Sequence, residues 1–240
     1  MTWTIINIIF VLIGGGIGLF FGNRLPDRVK QTVMAILGLF TMVIGIQMFL
    51  DTHNPITVLL ALLIGGLLGE WWQIEEGLER FSAFMEKRFA GGDGSTETNF
   101  VVGMTTASLL FIIGPMAILG SIQDGLSGDF TLLLIKSILD FFAAMAFAST
   151  LGVGVLFSIV PLLVYQGGIT LLAGTADALL TGAMVTEMTA AGGVILVALA
   201  ISSLLNIKKI WVGNLLPALL VAPLITPLLA ALLASLGWGV

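Results

Sequence analysis

Charge is scarce in this chain. Asp, Glu, Lys and Arg make up 10% of its 240 residues, against 58% hydrophobic residues. Ordinary soluble domains carry about 25% charged residues. So few charges cannot cover that much apolar surface in water, and the composition points to a polytopic membrane protein. Cysteine is absent, which removes a disulfide framework and any thiolate metal site. There is no Lys/Arg-rich tail and no aromatic–basic interleaving, so no nucleic-acid partner is expected. HExxH, GxSxG, P-loop and Cys/His-cluster motifs are missing, so neither an enzyme nor a cofactor is expected. The N-terminus, MTWTIINIIFVLIGGG, lacks the positive n-region of a signal peptide, and its apolar run continues too far for one. It reads as a retained first span.

What is present is a series of apolar stretches near the ~20 residues that a bilayer crossing needs. They run over 5–21, 33–50, 56–72, 100–122, 131–149, 153–172, a seventh ending near Asn206, and 215–236. The expected fold is therefore all-α: a single transmembrane domain over 1–240, a bundle of about eight spans. Residues 175–193 are rich in small side chains and fit a loop, a re-entrant segment or a helix. Between the third and fourth spans, Ile74, Leu78, Phe81, Met85 and Phe89 recur at three- and four-residue spacing among charges. This predicts a cytoplasmic amphipathic helix, lying on the membrane or packed on the bundle, and with its GGDGSTET linker it fills 73–98.

Eight of the nine basic residues fall in three loops: Arg24, Arg28 and Lys30; Arg80, Lys87 and Arg88; Lys208 and Lys209. Eight spans put all three on one side. The positive-inside rule then places them in the cytoplasm and both termini outside. Lys208 and Lys209, flanked by Asn206 and Asn214, read as anchors at anionic lipid. His53, the only histidine, lies in a turn and reads as inert.

The spans repeat one another. IGGGIGLFF (13–21) matches IGGLLGEWW (64–72), and LLFIIGPMAILG (109–120) matches VLFSIVPLLVYQ (155–166) with Pro115 and Pro161 in register. This suggests four tandem helical hairpins with proline-kinked even spans. Gly14, Gly18 and Gly22, four apart, form a stripe where a neighbouring helix can approach closely, and offer a surface for a homo-oligomer.

The candidate site residues lie in this apolar text. Lys136 and Asp140 share one face of the fifth span, with Ser137 about 100° around the helix. A charge at mid-membrane costs at least ~3 kcal/mol on insertion scales, and usually faces a bundle interior or a wet cavity. The pair reads either as a cation or proton site or as an ion pair that fixes helix register. Gly114 with Pro115, and Pro161 with Tyr165 and Gln166, place polar groups beside a broken helix, as a midplane substrate site requires. Glu187 sits among small residues and hydroxyls, and fits a cavity-facing carboxylate or a helix cap. Glu70, beside Trp71 and Trp72, reads as interfacial. No residue set points to a particular metal.

GPMAILGSIQDGLSGD, KSILDFFAAMAFASTLGVGVLFS and IKKIWVGNLLPAL resemble the YqgA/YdfK-like family of uncharacterised bacterial multi-spanning membrane proteins. The resemblance covers nearly the whole chain. It implies a multi-pass protein of the bacterial inner membrane, in a family often labelled as transport proteins, and assigns no site residue. The expected function is a transporter or permease for a small solute or ion; the alternatives are a non-transporting scaffold or sensor, or a passive channel. The expected partners are the lipid bilayer and that solute or ion.

Overall fold

A computed structural model describes residues 2–22, 26–89, 97–113 and 115–235, and contains no strand among them. The helices are α1 (Thr2–Gly22), α2 (Asp27–Leu50), α3 (Pro55–Trp72), α4 (Ile74–Phe89), α5 (Glu97–Ile113), α6 (Pro115–Leu126), α7 (Thr131–Leu151), α8 (Gly154–Phe157), α9 (Ile159–Leu171), α10 (Ala173–Leu179), α11 (Gly182–Leu199) and α12 (Ala218–Ser235). The all-α bundle expected from the sequence is what forms. Among the described residues, seven segments are long and apolar enough to cross a membrane, with α8 and α9 together making one and α11 extended by a π turn, Ala200–Leu204, making another. The pair α5 and α6 becomes an eighth if counted as one span bent by 62°. Segment 175–193, ambiguous in the sequence, divides between α10 and α11. Arg24, Gly114 and most of the GGDGSTET linker lie outside the described residues.

Local chemistry sets the helix ends. Asn54 accepts the Ile56 N–H at 3.1 Å and Pro55 opens α3, a position where a missing N–H is harmless. Gln73 ends α3 in the left-handed region at φ 52. Thr181 caps α11 by accepting the Met184 N–H at 3.4 Å. Asp129 accepts both the backbone N–H and the hydroxyl of Thr131, at 3.0 and 2.8 Å, and so starts α7.

The chain gathers into two compact units, one of Met1–Leu37 with Glu76–Asp177, the other of Gly38–Glu75 with Ala178–Val240. Both are discontinuous in sequence, so no linker marks a boundary.

In the first unit α1 lies directly on α7. A Cβ at Gly14, Gly18 or Gly22 would strike the carbonyl of Phe141, Met145 or Ser149 respectively. Both sets of numbers rise together, so α1 and α7 run parallel. The glycine stripe is thus filled by a helix of the same chain, which leaves that face no room for a second copy. By contrast α9 runs antiparallel to α1, with Thr4 beside Thr170 and Gly15 beside Leu156 of α8. The amphipathic α4 is packed on α5, where the Ser82 and Thr105 hydroxyls meet at 3.3 Å. Phe157 of α8 sits 5.6 Å from Phe89 and 5.2 Å from Phe100, ring centre to ring centre.

In the second unit Gly45 of α2 faces Gly193 of α11, each against the other's carbonyl. Gly65 and Gly69 of α3 lie against the backbone of Ala218 and Asn214. The two IGG motifs matched in the sequence therefore do the same job, backbone-close packing, in different units.

The surface is apolar and much of the polar chemistry is inside. Phe40, Leu67, Trp71, Trp72 and Leu224 are exposed, while Asn7, Lys136, Asp140, Gln166 and Glu187 are buried. A bilayer imposes this inversion: lipid accepts leucine, and polar side chains must find partners within the protein.

Candidate functional site

Three helices of the first unit bring polar side chains together. From α7, Lys136 donates to the Asp140 carboxylate across one helical turn, as their spacing predicts, and the ion pair is buried. From α1, Asn7 donates its amide to Asp140 Oδ2 at 3.0 Å. One turn earlier, Thr4 meets the Thr170 hydroxyl of α9 at 3.4 Å, and Gln166 Nε2 points at Thr4 Oγ1 at a long 3.5 Å. The Lys136 ammonium also lies 5.9 Å from the centre of the Phe111 ring, within reach of a cation–π attraction.

The depth of the cluster follows from helix geometry. At 1.5 Å rise per residue, Thr4 and Thr170 lie ~2–3 Å inside their helix ends, Asn7, Gln166 and Lys136 ~8 Å, and Asp140 ~14 Å. Because α1 and α7 are parallel and α9 is antiparallel, these ends coincide. Trp3 stacks on Phe130 there, ring centres 3.9 Å apart. Polar groups thus descend from one rim of the unit to its middle.

Two atoms in this descent lack a partner. Asn7 Oδ1 and Gln166 Oε1 are buried with no hydrogen bond, although neither residue is exposed at all (0%). The orientation of Asn7 is fixed by its neighbour, since only the NH2 end of an amide can face a carboxylate. Its bare oxygen is therefore a real acceptor without a donor, at a cost of ~1–3 kcal/mol.

The other residues proposed from sequence are placed as follows. Ser137 is buried, but its hydroxyl is taken by the Leu133 carbonyl at 2.6 Å on its own helix. Pro115 opens α6; Gly114 lies outside the described residues. Pro161 falls in the first turn of α9, and the break between α8 and α9 lies at Ser158. Tyr165 is half-buried on α9, beside Gln166 in sequence. Gln166 joins the cluster; Glu187 belongs to the second unit.

There Glu187 of α11 accepts the Thr52 hydroxyl at 2.5 Å and the backbone N–H groups of His53 and Asn54 at 2.9 and 3.1 Å. It holds the turn that leads into α3, whose positive N-terminal dipole suits a carboxylate. His53 contributes only its backbone there. A second network ties the end of α3 and the start of α4 to the 3-10 turn Val212–Leu215 that precedes α12: Asn214 donates to Glu70 at 2.7 Å and accepts the Glu75 N–H at 2.9 Å, while Glu75 accepts the Gly213 N–H at 2.7 Å. Both networks satisfy exposed helix ends and explain why these carboxylates sit in apolar text.

Sequence reasoning passed over Thr4, Asn7 and Thr170. A signal was available for the first two. Thr4, Asn7, Val11, Gly14 and Gly18 follow one three- and four-residue stripe, and all are buried. A first span drawn from Ile5 cut Thr4 off.

The chain matches the model of a family described as Protein of unknown function (DUF554) over residues 2–227. It belongs to that family. Among its relatives is the Uncharacterized protein YqgA of Escherichia coli (strain K12), 34% identical over 217 residues, covering 90% of this chain and 92% of the relative. Another is the Uncharacterized membrane protein YdfK of Bacillus subtilis (strain 168), 33% identical over 225 residues, covering 92% and 93%. The second name agrees with the membrane character of this DUF554 fold. No solved structure matches the chain.

Proposed function

We propose that this chain is a transporter or permease that moves a small solute or ion across the bacterial inner membrane, and that Lys136, Asp140, Asn7 and Gln166 line its site. The observation that carries this reading is the charged pair buried at mid-span and joined by the Asn7 amide of α1, with a polar contact of Thr4, Thr170 and Gln166 between α1 and α9 nearer the rim. A pair that served only helix register needs no second helix to supply an amide with a bare oxygen. The polar groups also begin at one rim, as a route from one side of the membrane requires.

Eight crossings, with termini outside and basic loops in the cytoplasm, fit the same reading. Parallel α1 and α7 support the count. With α2 and α3 each crossing once, a re-entrant α5–α6 would make α7 antiparallel to α1.

Purified protein in liposomes, challenged with a panel of ions and small solutes, tests the proposal. At least one flux should exceed that of empty liposomes and fall in Asp140→Asn. A panel with no flux above the empty vesicles overturns it.

A further inference from the structure

The polar groups that descend from the rim are shut off in this structure. Thr4 and Gln166 are fully buried and Thr170 nearly so, although Thr4 and Thr170 lie in the last turns of their helices at that rim. Side chains so near a helix end meet water unless something covers them. The groups found there are aromatic. Trp3, next to Thr4 in the chain, stacks on Phe130 with ring planes 11° apart. Trp3 is fixed on α1, whereas Phe130 ends the short non-helical segment 127–130 that joins α6 to α7.

That segment carries its own hinge. Gly128 stands at φ 70, and a Cβ there would meet nothing within 4 Å, so its backbone is left-handed and unobstructed. Asp129 performs the capping of α7 through Thr131, and Phe130 makes no cap hydrogen bond. We infer that the Trp3–Phe130 stack is a gate over the polar column: closed, it bars water and solute from Gln166, Asn7 and the ion pair; open, with residues 127–130 swung on Gly128, it admits them from the rim. The inference rests on the transport reading above and names how access to its site is regulated. A single ring pair on a hinged segment is the size of barrier that a lid needs, strong enough to close and weak enough to open thermally.

The chain has no cysteine, so one introduced thiol reports access. Full-length protein in detergent carries Gln166→Cys in the column, and the probe is a water-borne trimethylammonium methanethiosulfonate, which modifies thiols that water reaches. With the stack intact, labelling should be far slower than at Ser127→Cys in the exposed segment. Adding Trp3→Ala or Phe130→Ala should speed it about tenfold, the upper end of what one aromatic pair contributes. Trp3→Phe keeps a stacked ring and should stay slow. Ser108→Cys, nearly isosteric and buried on α5, is the control and should stay slow in every background, because a gate opens locally and a loosened bundle opens throughout. Labelling of Gln166→Cys at one rate with and without the stack overturns the inference, and means that the two rings only anchor helix ends at the membrane boundary. So does faster labelling of both buried thiols. No flux enters the measurement, so it is decided apart from the transport reading: gated labelling in a protein that moves no solute overturns that reading alone.

Discussion

Asp140 and Lys136 neutralise each other inside the bundle, so removing one is worse than removing both. Asp140→Ala strands an ammonium among apolar walls and should destabilise the protein by about 3–5 kcal/mol. The double change Lys136→Met with Asp140→Leu removes the charges together and leaves only the Asn7 amide without a partner, so it should melt above Asp140→Ala in detergent while abolishing flux. A double variant that still transports would show that the pair is architectural. At the rim, Asp129 behaves differently. The Thr131 backbone N–H, and then its hydroxyl, hold the Asp129 carboxyl below the ordinary aspartate value. A depressed folded value means that its contribution is present at neutral pH, above the unfolded value, and is lost as pH falls through the folded one. An NMR titration should find Asp129 below the ordinary aspartate value, and Thr131→Val, which removes the hydroxyl, should move it part of the way back up.

At the scale of elements, close backbone contact is the recurring device. Gly18 has the Met145 carbonyl where a side chain would begin. Gly18→Val should therefore force α1 from α7 and cost about 1–3 kcal/mol, or more, read as a lower melting temperature. Gly16, facing open space, should accept alanine with little change. The helices themselves were legible in the sequence because hydropathy runs and Pro/Asn/Gly turns are local signals. So were the ion pair, whose members share one helix, and the glycine stripe. What filled the stripe was not legible: Phe141 and its neighbours contribute backbone carbonyls, which every residue has. Glu187 illustrates the same limit. Its helix-terminal character was readable, but the terminus it serves is the start of α3, more than a hundred residues away.

For the molecule as a whole, the membrane crossings can be read chemically, because the chain has no cysteine of its own. Gly77 is exposed with space for a side chain, and Ser127 lies in the exposed loop before α7. Gly77→Cys and Ser127→Cys should react with a membrane-impermeant maleimide from opposite sides, Ser127→Cys from outside. Reaction from the same side would mean that α5 and α6 dip into the membrane and return. The parallel pairing of α1 with α7 also sets a timetable for biogenesis. Asn7 leaves the ribosome 133 residues before Asp140, a wait of roughly 7–27 s at bacterial elongation rates. Through that interval α1 sits in the bilayer with an amide and a hydroxyl but no charge, and can wait. When α7 emerges, it brings its acid and its base within a single turn, so the two charges enter the lipid already neutralised. The nascent chain never has to hold a lone ion in the membrane for a partner that has not yet been made.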